Sequence, residues 1–491
     1  MVRRRSAGQD YGVPENGPTA AEIEGVVRVL ESLSADRGPL SRVPEALRNR
    51  LMAAAGRVAS PAQKELRRLR KAERKAEERE RERRDEVVLG STRIRGLRTE
   101  LVFPTPPVAL PSSARGSSAT LEQERACYVC KSSYSVVHFF YDAMCEACGD
   151  LNYEKRNQTA DLGGRVALIT GARVKIGYQA SIKLLRAGAR VIVTTRFPRD
   201  AAARYAAELD HEAFADRLEI HGLDLRHTPS VELFARSLLG RLDRLDFIIN
   251  NACQTVRRPA GFYRHLLERE TAPRNSLPAV EQRFLSAFEG SPQGGWSLRS
   301  TSPSEQGESE PFPVGRLDAD LQQVDLRDLN SWRLKLAEVS TLELLEVHLA
   351  NAVAPFVLNA RLKPLMAKVA TRDKHIVNVS AMEGQFYKTL KTDRHPHTNM
   401  AKASLNMMTR TSAIDLVKDG IHMNSVDTGW VTDEDPVAYS EKKALEQGVV
   451  FQPPLDVVDG AARIVDPIFS GIRTGRHVFG QFLKDYRPVP W

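Results

Sequence analysis

The sequence predicts an α/β fold with a doubly wound parallel sheet, preceded by a small four-cysteine module and an α-helical N-terminal arm. Three observations carry this prediction. From about residue 163 onward, short apolar runs alternate with helical patterns, as in sheets whose parallel strands are joined by helices. Two Cys-x2-Cys pairs stand immediately before this region. Residues 1–103 carry their apolar side chains at helical spacing.

The composition excludes several classes of protein. The chain has 491 residues, of which 42% are hydrophobic and 27% are charged, and its net charge is +9. This apolar fraction excludes wholesale disorder, and the length predicts more than one domain. No run of 18 apolar residues occurs, so we expect no membrane-spanning segment. An odd number of cysteines and a start without an apolar leader predict a reducing, cytoplasmic location.

The N-terminal arm, residues 1–103, is predicted to be helical and strongly charged. Thr19 and Glu22 form a capping box that begins the first helix. Residues 64–86 are charged at nearly every position, with both signs mixed. Such a helix is typically solvated, and a contact with a protein or nucleic-acid partner is the alternative interpretation.

A metal-binding module is predicted over residues 125–160, after a Pro/Ser-rich linker at 104–124. A Cys-x2-Cys turn lets two thiolates close on one ion, and two such turns complete a tetrahedral four-thiolate site. The segment between the pairs is expected to form a hairpin that brings them together. The sequence therefore predicts structural zinc, with two redox dithiols or unliganded thiols as the alternatives. The predicted ligands are Cys127, Cys130, Cys145 and Cys148.

A strand, a glycine-containing turn and a helix follow one another between residues 165 and 187. The turn runs from Gly171 to Gly177. This is the first unit of a dinucleotide-binding Rossmann fold, in which the helix N-terminus faces the pyrophosphate. An insertion at 257–335 interrupts the later strands, and its middle is expected to be a mobile loop. Further strands are predicted at 191–195, 218–225, 245–253, 375–380 and 421–429.

These motifs, in this order, resemble the short-chain dehydrogenase/reductase family over residues 161–491, apart from the insertion. Thr170–Gly171 and Ile176–Gly177 match the ends of its TGxxxGxG turn, and Asn250–Ala252 match its NNAG motif. The resemblance implies NAD or NADP, hydride transfer between that cofactor and a carbonyl or alcohol, and a homo-oligomer. The cofactor contacts that it implies are Gly171, Arg173, Lys175, Ile176, Gly177, Arg196, Asp224, Leu225, Asn250, Asn251, Ala252, Lys402 and Thr432.

Two departures from the family concern the cofactor. Lys175 stands at the middle glycine of the turn, where a side chain crowds the pyrophosphate but can also pair with it. Arg196 ends the second strand, where NAD-binding folds place an acidic residue. An arginine there can accommodate a 2′-phosphate, so the sequence favours NADP over NAD.

The catalytic positions depart further. Thr398 stands at the family's tyrosine, four residues before Lys402, and Ala381 stands at its serine. The tyrosine protonates the alkoxide that hydride transfer creates, and a threonine is too short and far less acidic. Lys402 and Asn351 fall at the family's active-site lysine and asparagine. The candidate catalytic residues are Lys402, Asn351, Ser380, Tyr387 and Thr398.

Other side chains could replace the missing acid. Tyr387 and Lys391 spell YxxxK, which we interpret as coincidence, although the phenol could swing into the pocket from its loop. His395 and His397 could donate protons at neutral pH, but loop histidines are more often exposed. Cys253 replaces the last glycine of NNAG and is expected to be a small buried residue.

Three functions remain open on this evidence. The first is an NADP-dependent oxidoreductase with a rebuilt acid/base site and an unknown small-molecule substrate. The second is a catalytically inactive dinucleotide-binding sensor or scaffold. The third is a nucleic-acid-binding protein that uses the zinc module and the charged helix. The first is preferred, because a purely structural fold has no evident use for Asn351 and Lys402.

Overall fold

The computed structural model describes residues 18–60, 63–106, 119–289, 311–387, 391–432, 434–436 and 452–491. The chain forms two compact units, Met1–Glu82 and Arg83–Trp491. The expected linker at 104–124 and the expected mobile loop of the insertion lie largely outside the described residues.

The first unit is helical, as the sequence predicts. It contains α1 (Ala20–Ala35), α2 (Glu45–Ala59) and most of α3 (Gln63–Gly90). Thr19 accepts a hydrogen bond from the backbone N–H of Glu22, whose carboxylate accepts one from the backbone N–H of Thr19. The predicted capping box is therefore confirmed, and it satisfies two N–H groups that a helix start leaves without intrahelical partners.

The second unit is built on a mostly parallel sheet covered by helices. Its strands and those of the module are β1 (Ala119–Ala126), β2 (Ser133–Val137), β3 (Val166–Thr170), β4 (Arg190–Thr195), β5 (Leu218–Gly222), β6 (Phe247–Asn250), β7 (Leu285–Glu289), β8 (Lys374–Ser380), β9 (Ile421–Asp427), β10 (Phe482–Lys484) and β11 (Arg487–Val489). Its helices are α4 (Arg93–Arg98), α5 (Glu146–Asn157), α6 (Lys175–Arg186), α7 (Pro198–Ala206), α8 (Thr228–Arg241), α9 (Arg264–Thr271), α10 (Ala279–Phe284), α11 (Thr341–His348), α12 (Ala354–Ala367), α13 (Pro396–Leu416) and α14 (Val457–Thr474).

Within the described residues, the sheet has nine strands in the order β11-β10-β9-β8-β6-β3-β4-β5-β7, and only β11 runs antiparallel to its neighbour. The predicted doubly wound fold is confirmed. Three strands end earlier than the sequence predicts, at Gly222, Asn250 and Asp427. Beyond each of these residues the chain turns away from the sheet into loops that border one cavity. The residues of these loops therefore do not continue the strand pairing of the sheet.

The four-cysteine module differs in detail from the expected hairpin. β1 and β2 pair antiparallel and flank Cys127 and Cys130, so only β2 lies between the two cysteine pairs, and its partner strand comes before the first pair. Cys145 is the N-cap of α5, which carries Cys148 in its first turn. One cysteine pair therefore lies on the hairpin turn and the other at a helix start.

An apolar cluster joins the module to the Rossmann domain. Tyr141 and Met144 of the module are fully buried against Leu455 and Val458, which stand before and within α14. Because these residues share one core, the chain from Arg83 onward forms a single unit, whereas the sequence predicts a boundary at residues 160/161.

A buried ionic cluster lies beside this core. Arg156 of α5 is 2.6 Å from Asp456 and 2.9 Å from Asp459, and the Tyr141 hydroxyl donates to Asp459 over 2.6 Å. Burial opposes ionisation of Asp459, but the charges of Arg156 and Arg463 outweigh it and hold the pKa of Asp459 below its ordinary value. The module therefore supplies, through Arg156, a cation for two buried carboxylates at the start of α14.

Replacing Arg156 with methionine is expected to lower the free energy of unfolding by about 3–5 kcal/mol, because both carboxylates would remain buried without their cation. Urea denaturation measures the change. Arg361→Met is the matched control, since Arg361 forms an exposed pair with Glu232 and its loss should leave the midpoint unchanged. An Arg156→Met protein as stable as the wild type would contradict an ionic role for this cluster.

One stretch of the described chain, Thr341–Ala367, is apolar and long enough to cross a membrane by length and composition alone. Half of its most apolar window is buried inside the protein, and the core helices of soluble proteins pass the same test. A short π-helix, Leu349–Val353, lies within this stretch and carries Asn351.

Candidate dinucleotide and active site

A cavity of about 1150 Å³ opens at the carboxyl ends of the parallel strands. It lies where the strand order reverses, between β3 and β6, which is the position at which doubly wound folds bind their ligands. The cavity is lined by every predicted cofactor residue except Asn250, and also by Ser380, Thr398 and Lys402.

The glycine turn is held in place by the loop after β6. The Asn251 amide donates to the carbonyl oxygens of Thr170 and Gly171, over 3.1 and 3.0 Å. The backbone N–H of Ala252 donates to the Thr170 hydroxyl over 3.1 Å. A Cβ atom at Gly177 would lie 2.3 Å from the Asn251 amide nitrogen and from the Gly171 oxygen. The glycine therefore permits the close packing that defines the turn.

Lys175 takes the place of the family's middle glycine in geometry as well as in sequence. Its φ is +56°, in the left-handed region that favours glycine. Burial disfavours the charged ammonium, but the carboxylates of Glu434, Asp320 and Asp318 raise the pKa of Lys175 above its ordinary value. Its Nζ lies 4.0 Å from Asp320, a residue of the insertion. The cation is held at the helix N-terminus, where a pyrophosphate would compete with Asp320 for it.

The second strand presents an arginine to the same cavity. The Arg196 guanidinium donates to the Tyr263 hydroxyl over 2.6 Å, and its central carbon lies 4.7 Å from the centre of that ring. Arg173 pairs with Asp200 over 2.7 Å and donates to Gln322. Both the ring that supports Arg196 and the amide that holds Arg173 belong to the insertion.

Asp224 lines the cavity, but its carboxylate is already engaged. It pairs with Arg226 over 2.7 Å, and Arg226 also pairs with Glu346. Burial raises the pKa of Asp224, but its hydrogen bonds and ion pair with Arg226 outweigh burial and lower it below the ordinary value. Leu225 is buried and lines the cavity beside it.

Three of the candidate catalytic residues meet in the cavity. Lys402 donates from Nζ to the Val379 carbonyl over 2.8 Å, and Ser380 donates to the Asn406 side chain over 2.6 Å. The Thr398 hydroxyl is buried and has no hydrogen-bond partner among the described residues. The space that the family fills with a tyrosine ring is therefore bordered here by a short hydroxyl.

The structure places Asn250, Asn351 and Tyr387 outside the cavity lining. Asn250 is buried and donates to Asn359 and Asn378, so it ties β6 to its neighbours. Asn351 accepts from the Gln254 backbone N–H over 2.7 Å and donates to the Gln254 carbonyl. Tyr387 is 45% exposed. Asn351 thus anchors the loop that follows the NNA motif.

Three minor expectations were wrong. His395 and His397 are buried, because the insertion and α11 cover them: His395 stacks on Trp332 at 3.9 Å, and His397 lies 3.4 Å from Glu343. Neither lines the main cavity. Cys253 is exposed and does line it, because the turn after β6 opens into the cavity.

The residues of the cavity wall that sequence reasoning missed include Tyr128, Lys131 and Asp427. Tyr128 and Lys131 come from the first cysteine turn, and the Tyr128 hydroxyl accepts from the Trp430 backbone N–H over 2.9 Å. Asp427 ends β9 and lines the cavity beside Ser380, its register partner on β8. Of these three residues, only Asp427 could have been found from the sequence, since it is an acidic residue at the carboxyl end of a buried strand.

The four cysteines form one cluster. Their sulfur atoms all lie within 4.8 Å of one another, and Cys127 is fully buried. Four converging thiols of this kind are the donor set that a tetrahedral zinc ion takes, so the cluster is compatible with the predicted module. His138 is not part of the cluster.

The strand order, the tight turn at the switch point and the helix start beside the cavity define a dinucleotide-binding Rossmann domain. Family models described as "short chain dehydrogenase" and "Enoyl-(Acyl carrier protein) reductase" match residues 165–270 and 327–461. The chain belongs to the short-chain dehydrogenase/reductase family.

Similar proteins fall into two groups. An uncharacterized protein, R665 of Acanthamoeba polyphaga mimivirus, is 31% identical over 362 residues, which are 70% of this chain and 71% of that protein. Dehydrogenase/reductase SDR family member 13 of Bos taurus is 36% identical over 104 residues, and retinol dehydrogenase 12 of Bos taurus is 33% identical over 109. These matches span 20% and 21% of this chain and 27% and 34% of those proteins.

Solved structures with a similar fold include the carbonyl reductase Sniffer of D. melanogaster and the Pseudomonas aeruginosa RhlG/NADP complex. Sniffer is 17% identical, with a TM-score of 0.42, over 67% of this chain and 99% of that one. RhlG is 18% identical, with a TM-score of 0.41, over 66% and 95%.

Proposed function

We propose that the protein is an NADP-dependent oxidoreductase that transfers a hydride between its cofactor and a carbonyl or alcohol. Arg196 is the observation that carries this proposal. It stands at the carboxyl end of β4, lines the cavity and rests on the Tyr263 ring. An arginine in this position suits the 2′-phosphate of NADP, whereas an acidic residue would suit the ribose hydroxyls of NAD.

The residues of the cavity have separate roles in this proposal. The cofactor, when bound, supplies or accepts the hydride. Lys175 and the start of α6 would hold its pyrophosphate. Lys402 is fixed by its hydrogen bond to Val379 and would place a positive charge beside the oxygen that becomes negative. Thr432, on the loop after β9, would contact the nicotinamide amide.

Replacing Arg196 with serine is expected to raise the Kd for NADPH about 10- to 100-fold, because a charged hydrogen bond to phosphate contributes about 1.5–3 kcal/mol. The Kd for NADH should stay within a factor of two. Fluorescence titration of both cofactors measures the change.

Arg199→Ser is the matched control for this experiment. Arg199 donates to backbone carbonyls of the insertion, among them that of Glu270, and does not line the cavity, so both Kd values should stay near those of the wild type. A wild-type protein that binds neither cofactor would overturn the proposed function. An Arg196→Ser protein that keeps its preference for NADPH would overturn the role of Arg196.

A dinucleotide-binding sensor or scaffold without turnover is the second candidate. It is favoured by Thr398, whose hydroxyl cannot reach where a tyrosine phenol would, and by Asp320, which already holds Lys175. Turnover separates the two candidates: the oxidoreductase reduces at least one carbonyl in a panel of retinaldehyde, benzaldehyde and a quinone. Retinaldehyde is included because four relatives are named retinol dehydrogenases.

Several expectations stay predictions. They are the homo-oligomer, the cytoplasmic location, and a protein or nucleic-acid partner for the charged part of α3. Nucleic-acid binding would be sensitive to salt and would disappear on deletion of residues 60–90.

A further inference from the structure

Asp427 is a buried acid in the active-site cavity with no role in the proposal above. Asp427 is only 6% exposed, and it lines the cavity together with Ser380 and Lys402. The described part of the chain gives its carboxylate no hydrogen bond and no ion pair. A buried carboxyl without a partner costs free energy unless it is protonated or meets a ligand.

The position of Asp427 is set by three neighbouring parallel strands. Ser380 ends β8 and is the register partner of Asp427 at the end of β9. Leu483 of β10 pairs with Val426, so Lys484 comes next to Asp427 on the other side. All three strand ends open into the cavity. Asp427 thus lies one strand from the serine that stands closest to the family's missing serine position.

We propose that Asp427 is the proton donor of carbonyl reduction in this protein and replaces the family's tyrosine. This inference rests on the proposed oxidoreductase function. The carbonyl carbon gains a hydride and the π pair moves to the oxygen. The O–H bond of the Asp427 carboxyl then breaks, the proton bonds to that oxygen to give the alcohol, and a carboxylate remains. A proton from solvent restores the acid through the open cavity.

The surroundings of Asp427 favour its neutral form. Burial is the largest cause and raises the pKa of Asp427 to about 6. Nearby acidic groups act in the same direction, and nearby cations oppose them. The charged or titratable groups that face it are Lys484, Asp485, Glu383, Arg463 and Tyr128.

The charge of Lys484 opposes the effect of burial on the pKa of Asp427 but does not outweigh it, and the Lys484 ammonium pairs with Asp485. An acid whose pKa lies near the working pH is suited to give up a proton and to regain it. We therefore expect kcat for reduction to be constant below about pH 6 and to fall tenfold per pH unit above it.

Asp427→Asn keeps the shape of the side chain and removes the proton. At pH 5.5 the variant is expected to lose at least about 100-fold in kcat, the usual contribution of a general acid, while the Kd for NADPH changes little. The change of slope near pH 6 in the pH profile of kcat should vanish in this variant. Glu383→Gln removes another carboxyl of the same cavity. The pH profile of this variant should keep its change of slope but at a lower pH, because a negative charge that raises the pKa of Asp427 is lost.

A second variant distinguishes loss of the proton donor from loss of the folded structure. Asp427→Ala opens space beside the substrate, so added formic or acetic acid should restore part of its turnover in proportion to the concentration of the neutral acid. Infrared spectra of the wild type and of Asp427→Asn are recorded over a range of pH, and their difference should show a carboxylic acid that ionises near pH 6.

Two results would overturn the proposal: a carboxyl that ionises near its ordinary pKa of about 3.9, or an Asp427→Asn protein with wild-type kcat. Failure of the proposed function is a different result. It would appear as a wild-type protein that binds no NADPH, whatever the infrared titration shows.

Discussion

Replacing both Cys127 and Cys130 with serine is expected to abolish binding of the predicted zinc ion and, with it, most of the affinity for NADPH. These cysteines bracket the turn that carries Tyr128 into the cavity wall, where the hydroxyl holds the Trp430 backbone. Because a structural four-thiolate ion can contribute about 10 kcal/mol or more to folding, its loss should unfold the turn. We expect a Kd for NADPH at least tenfold higher and a metal content near zero.

The control for this experiment is Cys253→Ser. Cys253 is outside the cysteine cluster, so the variant should keep the metal content of the wild type. Metal analysis and fluorescence titration of NADPH provide the two readouts. A double variant that loses its metal but binds NADPH with wild-type affinity would show that the first cysteine turn does not shape the cavity.

Replacing Gly177 with alanine is expected to abolish dinucleotide binding. The added Cβ would lie 2.3 Å from both the Gly171 carbonyl oxygen and the Asn251 amide, distances that no real contact shows. The Gly171 oxygen is backbone at the end of β3 and cannot rotate away, so the turn or the start of α6 must shift. A cavity that positions phosphate within hydrogen-bonding distance does not tolerate such a shift.

Gly240→Ala is the control that tests whether loss of dinucleotide binding is specific to a glycine in the turn after β3. Gly240 lies in α8, and an added Cβ there would meet nothing within 4 Å. Alanine favours helices over glycine by about 0.5–1 kcal/mol, so this variant should bind NADPH normally and unfold at an equal or higher temperature. Wild-type NADPH affinity in Gly177→Ala would contradict the assignment of this turn to the pyrophosphate.

The fold could be predicted where the apolar pattern is strong. The strands β3, β4, β6, β8 and β9 are buried along nearly their whole length. β3, β4 and β6 show in the sequence as continuous runs of apolar and β-branched residues, whereas His, Asn and Ser interrupt the apolar residues of β8 and β9. The missed strands β7, β10 and β11 are edge or near-edge strands of three to five residues. A segment of that length has too few residues to show the alternation of apolar and polar side chains that identifies a strand.

The site could be predicted in part. The turn residues and Arg196 follow directly from the order of the motifs, because local spacing fixes where they stand on the fold. Asn351 matched a motif but holds the backbone of Gln254, since the family pattern does not report which way a side chain points. Tyr128 could not be found, because Tyr128 and Trp430 are 302 residues apart in the chain and meet only through tertiary packing.

The core shared by the cysteine module and α14 has a consequence for the history of this protein. A descendant that deleted the module would expose the apolar side chains of Leu455 and Val458 and leave Asp456 and Asp459 without Arg156. Several substitutions would have to accompany that deletion before the remaining chain folded well. Loss of the module is therefore a change that single mutations do not readily compensate, and we expect the module to be an obligate part of this fold.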